Sequence, residues 1–182
     1  MKTRVHIGIP AYNVMNTLTV NSLLWLVSRN DYEFTFSIKT GPCLLKNRSD
    51  IVKESIGSDY LLFIDSDMLF GEDILKRLIA CNKDIVGVDA STKQIPRQTT
   101  VKFDGDMPDN LFKCLGVGMG VTLIKTDCLE SIIKPLFKFE YNEDGNIITG
   151  EDIWFCKQAI RSGLEIWCDP TIEVKHIGDY HF

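Results

Sequence analysis

The chain has 182 residues, a formal net charge of −5 at pH 7 and a pI near 5.2. This acidic balance argues against nucleic acid or anionic lipid as a partner, because both bind to basic surfaces that release counterions. The length suits one buried core, so we expect a single domain over residues 1–182.

Neither a membrane span nor a targeting segment is predicted near the start of the chain. The apolar stretch at residues 18–27 contains polar side chains and is shorter than the roughly 20 apolar residues that cross a bilayer. A secretory signal would place a basic segment before an apolar core, whereas residues 1–13 suggest a strand and a loop. We therefore expect a cytoplasmic protein without an integral membrane segment.

Six cysteines are spread along the chain without a C-x-x-C pair. This spacing removes the main support for a zinc ribbon or a redox motif. We expect most of them to be reduced, buried apolar side chains. They are Cys43, Cys81, Cys114, Cys128, Cys156 and Cys168.

The first half of the chain alternates predicted strands and helices. The strands cover residues 5–9, 34–38, 60–64 and 85–88, and the helices cover residues 14–28, 44–56 and 71–81. The run YLLFI at residues 60–64 lacks polar alternation, which is typical of a strand covered on both faces of a parallel sheet. Repeated strand–helix units predict an α/β fold with an open, mostly parallel, Rossmann-like sheet flanked by helices.

The second half of the chain is less regular. Apolar runs predict strands at residues 99–103, 111–115 and 121–125, and turn residues mark 105–110 and 142–146. A predicted helix over residues 150–162 is ended by Gly163. Two last strands are predicted at residues 165–168 and 172–175.

An acidic pair, Asp65-Ser66-Asp67, directly follows the predicted strand at residues 60–64. Both carboxylates therefore leave the carboxyl edge of a central strand, where open α/β sheets bind ligands. Oxygen ligands suit hard divalent cations such as Mg²⁺ or Mn²⁺, and such a cation offsets the charge on a departing phosphate. An ordinary turn at the end of a strand is the structural alternative for this D-x-D pattern.

Spacing tests two other interpretations of the D-x-D pattern. An EF-hand loop starting at Asp65 would need Gly where Phe70 stands and Glu where Lys76 stands, so it is excluded. A haloacid-dehalogenase-like phosphatase also places D-x-D after a strand, but usually after the first strand and before Gly-Thr. Here the pair follows the third predicted strand and continues with Met68-Leu69, so the phosphatase class is kept only as an alternative.

The ordered set of motifs resembles the GT-A glycosyltransferases, in particular the family 2-like members. The motifs are Ile9-Pro10-Ala11-Tyr12-Asn13, Asn47-Arg48, Asp65-Ser66-Asp67, Gly150-Glu151-Asp152 and His176. Their order covers nearly the whole chain and is more specific than any one motif. The resemblance implies a GT-A fold, with a nucleotide-binding half near residues 1–90 and an acceptor and catalytic half near residues 91–182.

The resemblance implies contacts with a nucleotide-sugar donor at the ends of the first and third strands and on the second helix. The implied donor-binding residues are Pro10, Ala11, Tyr12, Asn13, Arg48, Asp65 and Ser66. Arg48 would face the donor diphosphate, which suits a planar guanidinium, whereas a solvated helix arginine is the alternative. Residues 10–13 could instead form a simple turn with Asn13 as a helix cap.

The resemblance also implies a metal site formed by Asp65, Asp67 and His176, because metal-dependent GT-A enzymes commonly use a C-terminal histidine ligand. An imidazole ligand favours Mn²⁺ over Mg²⁺. A lone histidine is more often structural, and we interpret His6 and His181 as structural or disordered.

Gly150-Glu151-Asp152 opens a predicted helix, and the resemblance makes Asp152 the candidate general base, with Glu151 beside it as a second catalytic candidate. This assignment favours an inverting reaction. The alternative is a capping box from Thr149 to Asp152, in which the carboxylates only stabilise the start of the helix.

Two further segments bear on the donor. The segment at residues 116–120, GVGMG, precedes a strand and is not a dinucleotide fingerprint. The resemblance implies that its backbone approaches the donor sugar, whereas a loop that needs positive φ is the alternative. Residues 39–42, KTGP, stand where many family 2 members carry an acidic base-recognition segment, which leaves the base open.

The resemblance, together with these features, implies a hexosyltransferase-type glycosyltransferase that uses a nucleoside-diphosphate sugar, with UDP favoured, Mn²⁺ or Mg²⁺, and an unidentified hydroxyl acceptor. The alternatives are a non-catalytic nucleotide-sugar-binding module and a phosphatase with Asp65 as nucleophile. A binding module would not need Asp152, so the combined motifs favour the enzyme.

Overall fold

A computed structural model describes residues 2–29, 31–92, 96 and 98–178 of the chain. In its first half, strands β1 to β5 are Arg4–Ala11, Glu33–Thr40, Tyr60–Ile64, Met68–Phe70 and Ile85–Gly87, and helices α1 to α3 are Thr17–Ser28, Leu44–Ser55 and Ile74–Ala80. In its second half, strands β6 to β11 are Phe112–Cys114, Val121–Lys125, Glu140–Tyr141, Ile147–Thr149, Ile166–Cys168 and Val174–His176, and helix α4 is Glu151–Arg161.

A seven-stranded sheet in the order β2-β1-β3-β7-β5-β10-β6 forms the centre of the fold. Strands β7 and β6 run antiparallel to their neighbours, and the other strands of this sheet run parallel to one another. Two smaller sheets pair β11 with β4 and β8 with β9. The predicted α/β fold with a mostly parallel sheet is confirmed, with β7 inserted between β3 and β5.

The burial of strand β3 on both faces explains why its sequence is apolar throughout. Leu61 and Phe63 belong to an apolar cluster on one face of the sheet, and Leu62 and Ile64 belong to a second cluster on the other face. All four side chains are fully buried. Because both faces are covered, a run without polar alternation fits this strand.

The predicted boundaries differ from the structure mainly around short elements. The strands predicted at 60–64 and 121–125 are confirmed with those bounds. The strand predicted at 99–103 is wrong, because this segment contributes only an isolated bridge from Lys102 to Gly116. Strand β4 was not predicted, since its three residues are too few for a periodic pattern.

The cysteines agree with the sequence analysis. All six thiols are free, and four of them are buried. Burial raises the pKa of Cys156 to about 12 and of Cys114 to about 11, as expected for unreactive core thiols. No helix within the described ranges has the length and apolar character needed to cross a membrane.

Candidate functional site

The acidic pair lies in a tight turn at the carboxyl end of β3. The Asp65 amide donates to the Gly120 carbonyl at 2.9 Å, and the Met68 amide donates to the Asp65 carbonyl at 3.3 Å. The three residues of the D-x-D segment are half-buried. This turn leads directly into β4, which places Asp67 beside the small β4–β11 sheet.

The β4–β11 ladder brings His176 to the acidic pair. His176 lies opposite Met68 in the register, and the Ile177 amide donates to the Asp67 carbonyl at 2.8 Å. His176 Nε2 lies 3.2 Å from Asp67 Oδ1. The other ring nitrogen, Nδ1, lies 3.2 Å from the Ser91 carbonyl, which requires a proton on Nδ1 for a hydrogen bond.

This arrangement partly fits a divalent cation. A histidine whose Nδ1 donates to a carbonyl presents Nε2, as metal-ligating histidines commonly do, and Asp67 adds a carboxylate oxygen. The third predicted ligand, Asp65, accepts from Arg48 through its Oδ1 at 3.0 Å. Among the described residues, no group of three or more His, Cys, Asp or Glu is placed to hold a metal ion. The structure therefore brings together two of the three predicted metal ligands, Asp67 and His176.

Arg48 is buried between two carboxylates. Its side chain is 3% exposed and lies near the Phe63 ring, with Cζ 5.3 Å from the ring centroid. Nη2 donates to Asp65, Nε donates to Glu151 Oε1 at 3.1 Å, and Nη1 has no hydrogen-bond partner among the described residues. Arg48 is therefore not a solvated helix arginine. It bridges two protein carboxylates.

The two acidic residues at the start of α4 have different surroundings. Glu151 is buried, and its Oε1 lies 3.1 Å from Arg48 Nε. Asp152 is partly buried, and its Oδ1 accepts from the Ile153 amide at 2.7 Å. The capping-box alternative is wrong, because Gly150 is the N-cap and no side chain caps the helix.

Burial changes the acidity of two carboxyl groups at this edge. It raises the pKa of Asp65 above its ordinary value, although the nearby Arg48 charge opposes the rise. It also raises the pKa of Asp152, and the negative charge of Glu151 adds to this effect. A carboxylate with a raised pKa is a stronger proton acceptor near neutral pH than an ordinary one.

Residues 10–13 form the end of β1 and the following loop. Pro10 and Ala11 are buried in the strand, whereas Tyr12 and Asn13 are exposed. The Gly41 amide donates to the Ala11 and Tyr12 carbonyls, at 3.2 and 3.0 Å, and so joins this loop to the end of β2.

Asn16, rather than Asn13, is the N-cap of α1, and the sequence analysis missed it. Its side chain accepts from the Leu18 amide at 2.9 Å. Its own amide donates to the Ser66 carbonyl at 2.8 Å, which ties the start of α1 to the D-x-D turn. Asn16 lies inside the segment predicted as helix, residues 14–28, and the available signal was an Asn directly before Thr17, where the helix begins.

Ser91 is a second residue that the sequence analysis missed. It has a positive φ of 46°, and its carbonyl lies against His176. Its amide donates to Asp89 Oδ1 at 3.2 Å, and the Thr100 amide donates to the same oxygen at 3.1 Å. Asp89 therefore holds the loop after β5 in the shape that presents the Ser91 carbonyl. An Asp close behind a buried strand was the available signal.

The glycines at 116, 118 and 120 are explained by packing. None of them has a positive φ, so the alternative of a loop that needs this conformation is wrong. A Cβ at Gly116 would lie 2.9 Å from Ile153 Cδ1, and one at Gly120 would lie 3.3 Å from Ala90 Cβ. The backbone here passes close to the start of α4 and to the loop after β5.

A cavity of about 770 Å³ lies between α2 and the segment after β7, away from the carboxyl ends of β1 and β3. Its lining includes Val52, Ile56, Leu129 and Pro135. It contains none of the predicted site residues, so its size does not bear on the site at the carboxyl ends of the strands.

Comparisons with known proteins bear on the fold. No protein-family model matches the chain, and a search of curated proteins finds no match. The crystal structure of A197 from STIV is similar, with a TM-score of 0.70 and 22% identity, over 97% of this chain and 87% of that one. A structure of GalNAc-T7 with UDP, GalNAc and Mn²⁺ has a TM-score of 0.66 and 9% identity, over 98% of this chain and 44% of that one. At these identities the likeness shows the fold alone, and the chain has a GT-A-like α/β fold.

Proposed function

We propose that this chain is a metal-dependent glycosyltransferase, which moves a sugar from a nucleoside-diphosphate sugar, with UDP as the favoured nucleotide, to an acceptor hydroxyl. The observation that carries the proposal is the pair of Asp67 and His176, whose Oδ1 and Nε2 lie 3.2 Å apart at the carboxyl edge of a GT-A-like sheet. The solved structure of GalNAc-T7, which shares this fold, contains UDP, GalNAc and Mn²⁺.

In this proposal, Asp67 and His176 hold Mn²⁺ or Mg²⁺, and Asp65 lies beside the ion or the ribose. The ion supplies positive charge that stabilises the departing diphosphate. Arg48 acts on the donor through Asp65, because its guanidinium contacts that carboxylate directly. Pro10, Ala11, Tyr12, Asn13 and Ser66 form the proposed nucleotide-binding edge.

Asp152 is the proposed general base. The acceptor oxygen forms a bond with the anomeric carbon while its proton moves to the Asp152 carboxylate. The bond between the anomeric carbon and the diphosphate breaks, and its electron pair leaves with the diphosphate, which inverts the configuration. The raised pKa of Asp152 favours proton transfer near neutral pH. Glu151 supports this helix start through Arg48, rather than by contact with substrate.

A thermal-shift screen tests the proposal. The chain is heated with a series of nucleotides and nucleotide sugars, each with and without Mn²⁺. We expect one nucleoside diphosphate to raise the melting temperature in a metal-dependent way, because a ligand that binds only the folded state stabilises it. No stabilisation by any nucleotide would exclude the proposed function.

A single variant then separates the enzyme from its alternatives. Asp152→Asn should keep the donor-dependent stabilisation and lower turnover by about 10² to 10⁴-fold, the usual contribution of a general base. Unchanged turnover would exclude Asp152 as the base. Binding without turnover of any donor would favour the binding module, and phosphate release from simple phosphomonoesters would favour the phosphatase.

A further inference from the structure

Strand β2 is an open edge of the central sheet. It has eight residues, Glu33–Thr40, and pairs along its whole length with β1 on one side. Within the described part of the chain, no strand pairs with its other side. A long edge strand with apolar side chains is a template for pairing with another chain, so proteins usually shorten, charge or cover such edges.

An apolar groove runs beside this edge, between β2 and α1. Its volume is about 450 Å³, and none of the residues that line it is charged. We call its exposed part the α1–β2 face, which consists of Val14, Val20, Leu24, Phe36 and Ile38. Leu24 is 60% exposed, Phe36 48% and Ile38 54%, so water contacts large apolar side chains on both elements.

Helix α1 lacks the charged outer face that a surface helix normally has, and its exposed polar residues are Thr17, Asn21 and Ser28. Residues 13–28 contain no charged side chain. On the outer side of α1, Leu24 is followed by Trp25, which is 65% exposed. A surface helix of a globular protein typically places charged residues opposite its buried stripe, and a helix that is apolar on most sides is usually covered.

We propose that a second copy of this chain covers the α1–β2 face, with β2 of each copy pairing antiparallel about a two-fold axis perpendicular to the sheet. Such an axis leaves both α1 helices on the same side of the joined sheet, so the two grooves meet. The pairing satisfies the open backbone edge of both strands at once. It joins the molecules side by side through β2, which carries none of Asp67, His176 and Asp152, so it does not depend on the proposed function. Ala11 and Asn13 of the proposed nucleotide-binding edge also line the groove.

The area of the face is of the order that a dimer requires. An aromatic side chain buries roughly 150–250 Å² and an aliphatic one less, so the five partly exposed residues supply on the order of several hundred Å² of apolar surface per copy. A standard interface buries about 800 Å² per partner, and homodimer interfaces are about 65% apolar. The face therefore supplies a substantial part of the apolar area of one half of a standard homodimer interface.

Two other occupants fit the face less well. A helix that binds a membrane surface carries Lys and Arg on its polar side, whereas α1 has no charged residue and the chain is acidic. A small-molecule site needs a few placed polar groups for orientation, and this groove offers only Asn13 and Thr40 as polar side chains in its lining.

The test measures the oligomeric state of the full chain by light scattering and sedimentation across the micromolar range. We expect a dimer for the unaltered chain. Ile38→Lys and Leu24→Lys each place two like charges in the proposed interface, so we expect the dimer dissociation constant to rise by at least about 100-fold. Ile148→Lys is the matched control, because Ile148 is similarly exposed on β9, and it should leave the dimer intact.

Circular dichroism and the melting temperature show whether each variant is folded. A monomeric unaltered chain would overturn the proposal, and so would a dimer that both Ile38→Lys and Leu24→Lys leave unchanged. A further arm mixes the chain with vesicles of neutral or anionic phospholipid. Vesicle binding by a monomer, lost in Leu24→Lys, would assign the face to a membrane and also overturn the proposal.

Discussion

Arg48 and Glu151 form a hydrogen-bonded ion pair across the candidate site. Arg48 Nε on α2 donates to Glu151 Oε1 at the start of α4, at 3.1 Å, and both side chains are almost fully buried. Arg48 also donates to Asp65, so one guanidinium connects the D-x-D turn with the helix that carries Asp152. The donor side and the acceptor side of the proposed site are therefore held together by the buried guanidinium of Arg48.

Removing the Arg48 guanidinium should destabilise the fold. Arg48→Met leaves two carboxylates without their partner, and breaking a buried ion pair typically costs about 3–5 kcal/mol. Urea denaturation should show a loss of this size. The double variant Arg48→Met/Glu151→Gln should recover part of it, because one of the stranded charges is removed. A loss below about 1 kcal/mol in the single variant would mean that the bridge contributes little.

The metal pair can be tested by the stabilisation that Mn²⁺ confers. At a Mn²⁺ concentration about 100 times its dissociation constant, binding should stabilise the fold by about 2.7 kcal/mol. A 100-fold loss of affinity in Asp67→Asn or His176→Asn would reduce this gain to about 0.4 kcal/mol. The measurement is the unfolding free energy with and without Mn²⁺. Asp127→Asn, on an exposed residue elsewhere, is the control and should keep the full gain. An equal gain in all variants would place the ion elsewhere.

The acidity of Asp152 predicts a pH dependence of turnover. The base must be ionised, and burial together with the Glu151 charge raises the pKa of Asp152. Turnover should therefore fall, on acidification, at a higher pH than for an ordinary carboxylate. Glu151→Gln removes the like charge, so the pKa of Asp152 should drop and the acid limb of kcat/KM should move to lower pH.

The assay for this shift follows release of the nucleoside diphosphate from the donor that the thermal-shift screen selects. Glu143→Gln, on an exposed loop residue, should leave the acid limb in place. If the acid limb of kcat/KM stays at the same pH or moves to a higher pH in Glu151→Gln, the assignment of Asp152 as the titrating base is contradicted.

His6 predicts a pH dependence of stability that is separate from the site. The ring is buried between the Thr35 and Ser37 hydroxyls, at 2.8 and 2.9 Å, and burial lowers the pKa of His6 below 6.5. As the pH falls below 6.5, the unfolded chain takes up a proton that the folded chain does not. The contribution of neutral His6 to the free energy of unfolding should therefore be fully present above pH 6.5. It should decrease as the pH falls below 6.5, by at most about 1.4 kcal/mol per pH unit.

Denaturation at a series of pH values between about 7 and 5 measures this slope. His6→Asn should be less stable at neutral pH but should have a flatter dependence, because its side chain does not titrate. An unchanged slope in this variant would show that another group is responsible.

The sequence by itself determined most of the regular elements and the position of the acidic pair. The uninterrupted apolar run of β3 required burial on both faces, and this placed Asp65 and Asp67 at the carboxyl edge of a central strand. The helices α1, α2 and α4 lie within a few residues of their predicted ends, because their apolar periodicity is a local property.

Only the tertiary structure decided which side chains meet. His176 reaches Asp67 because β11 pairs with β4, a three-residue strand too short to leave a pattern in the sequence. Arg48 was assigned to a donor phosphate from its motif, but packing against Phe63 and two carboxylates enclosed it. Contacts between residues far apart in the chain depend on how strands and helices pack, and local composition does not encode that packing.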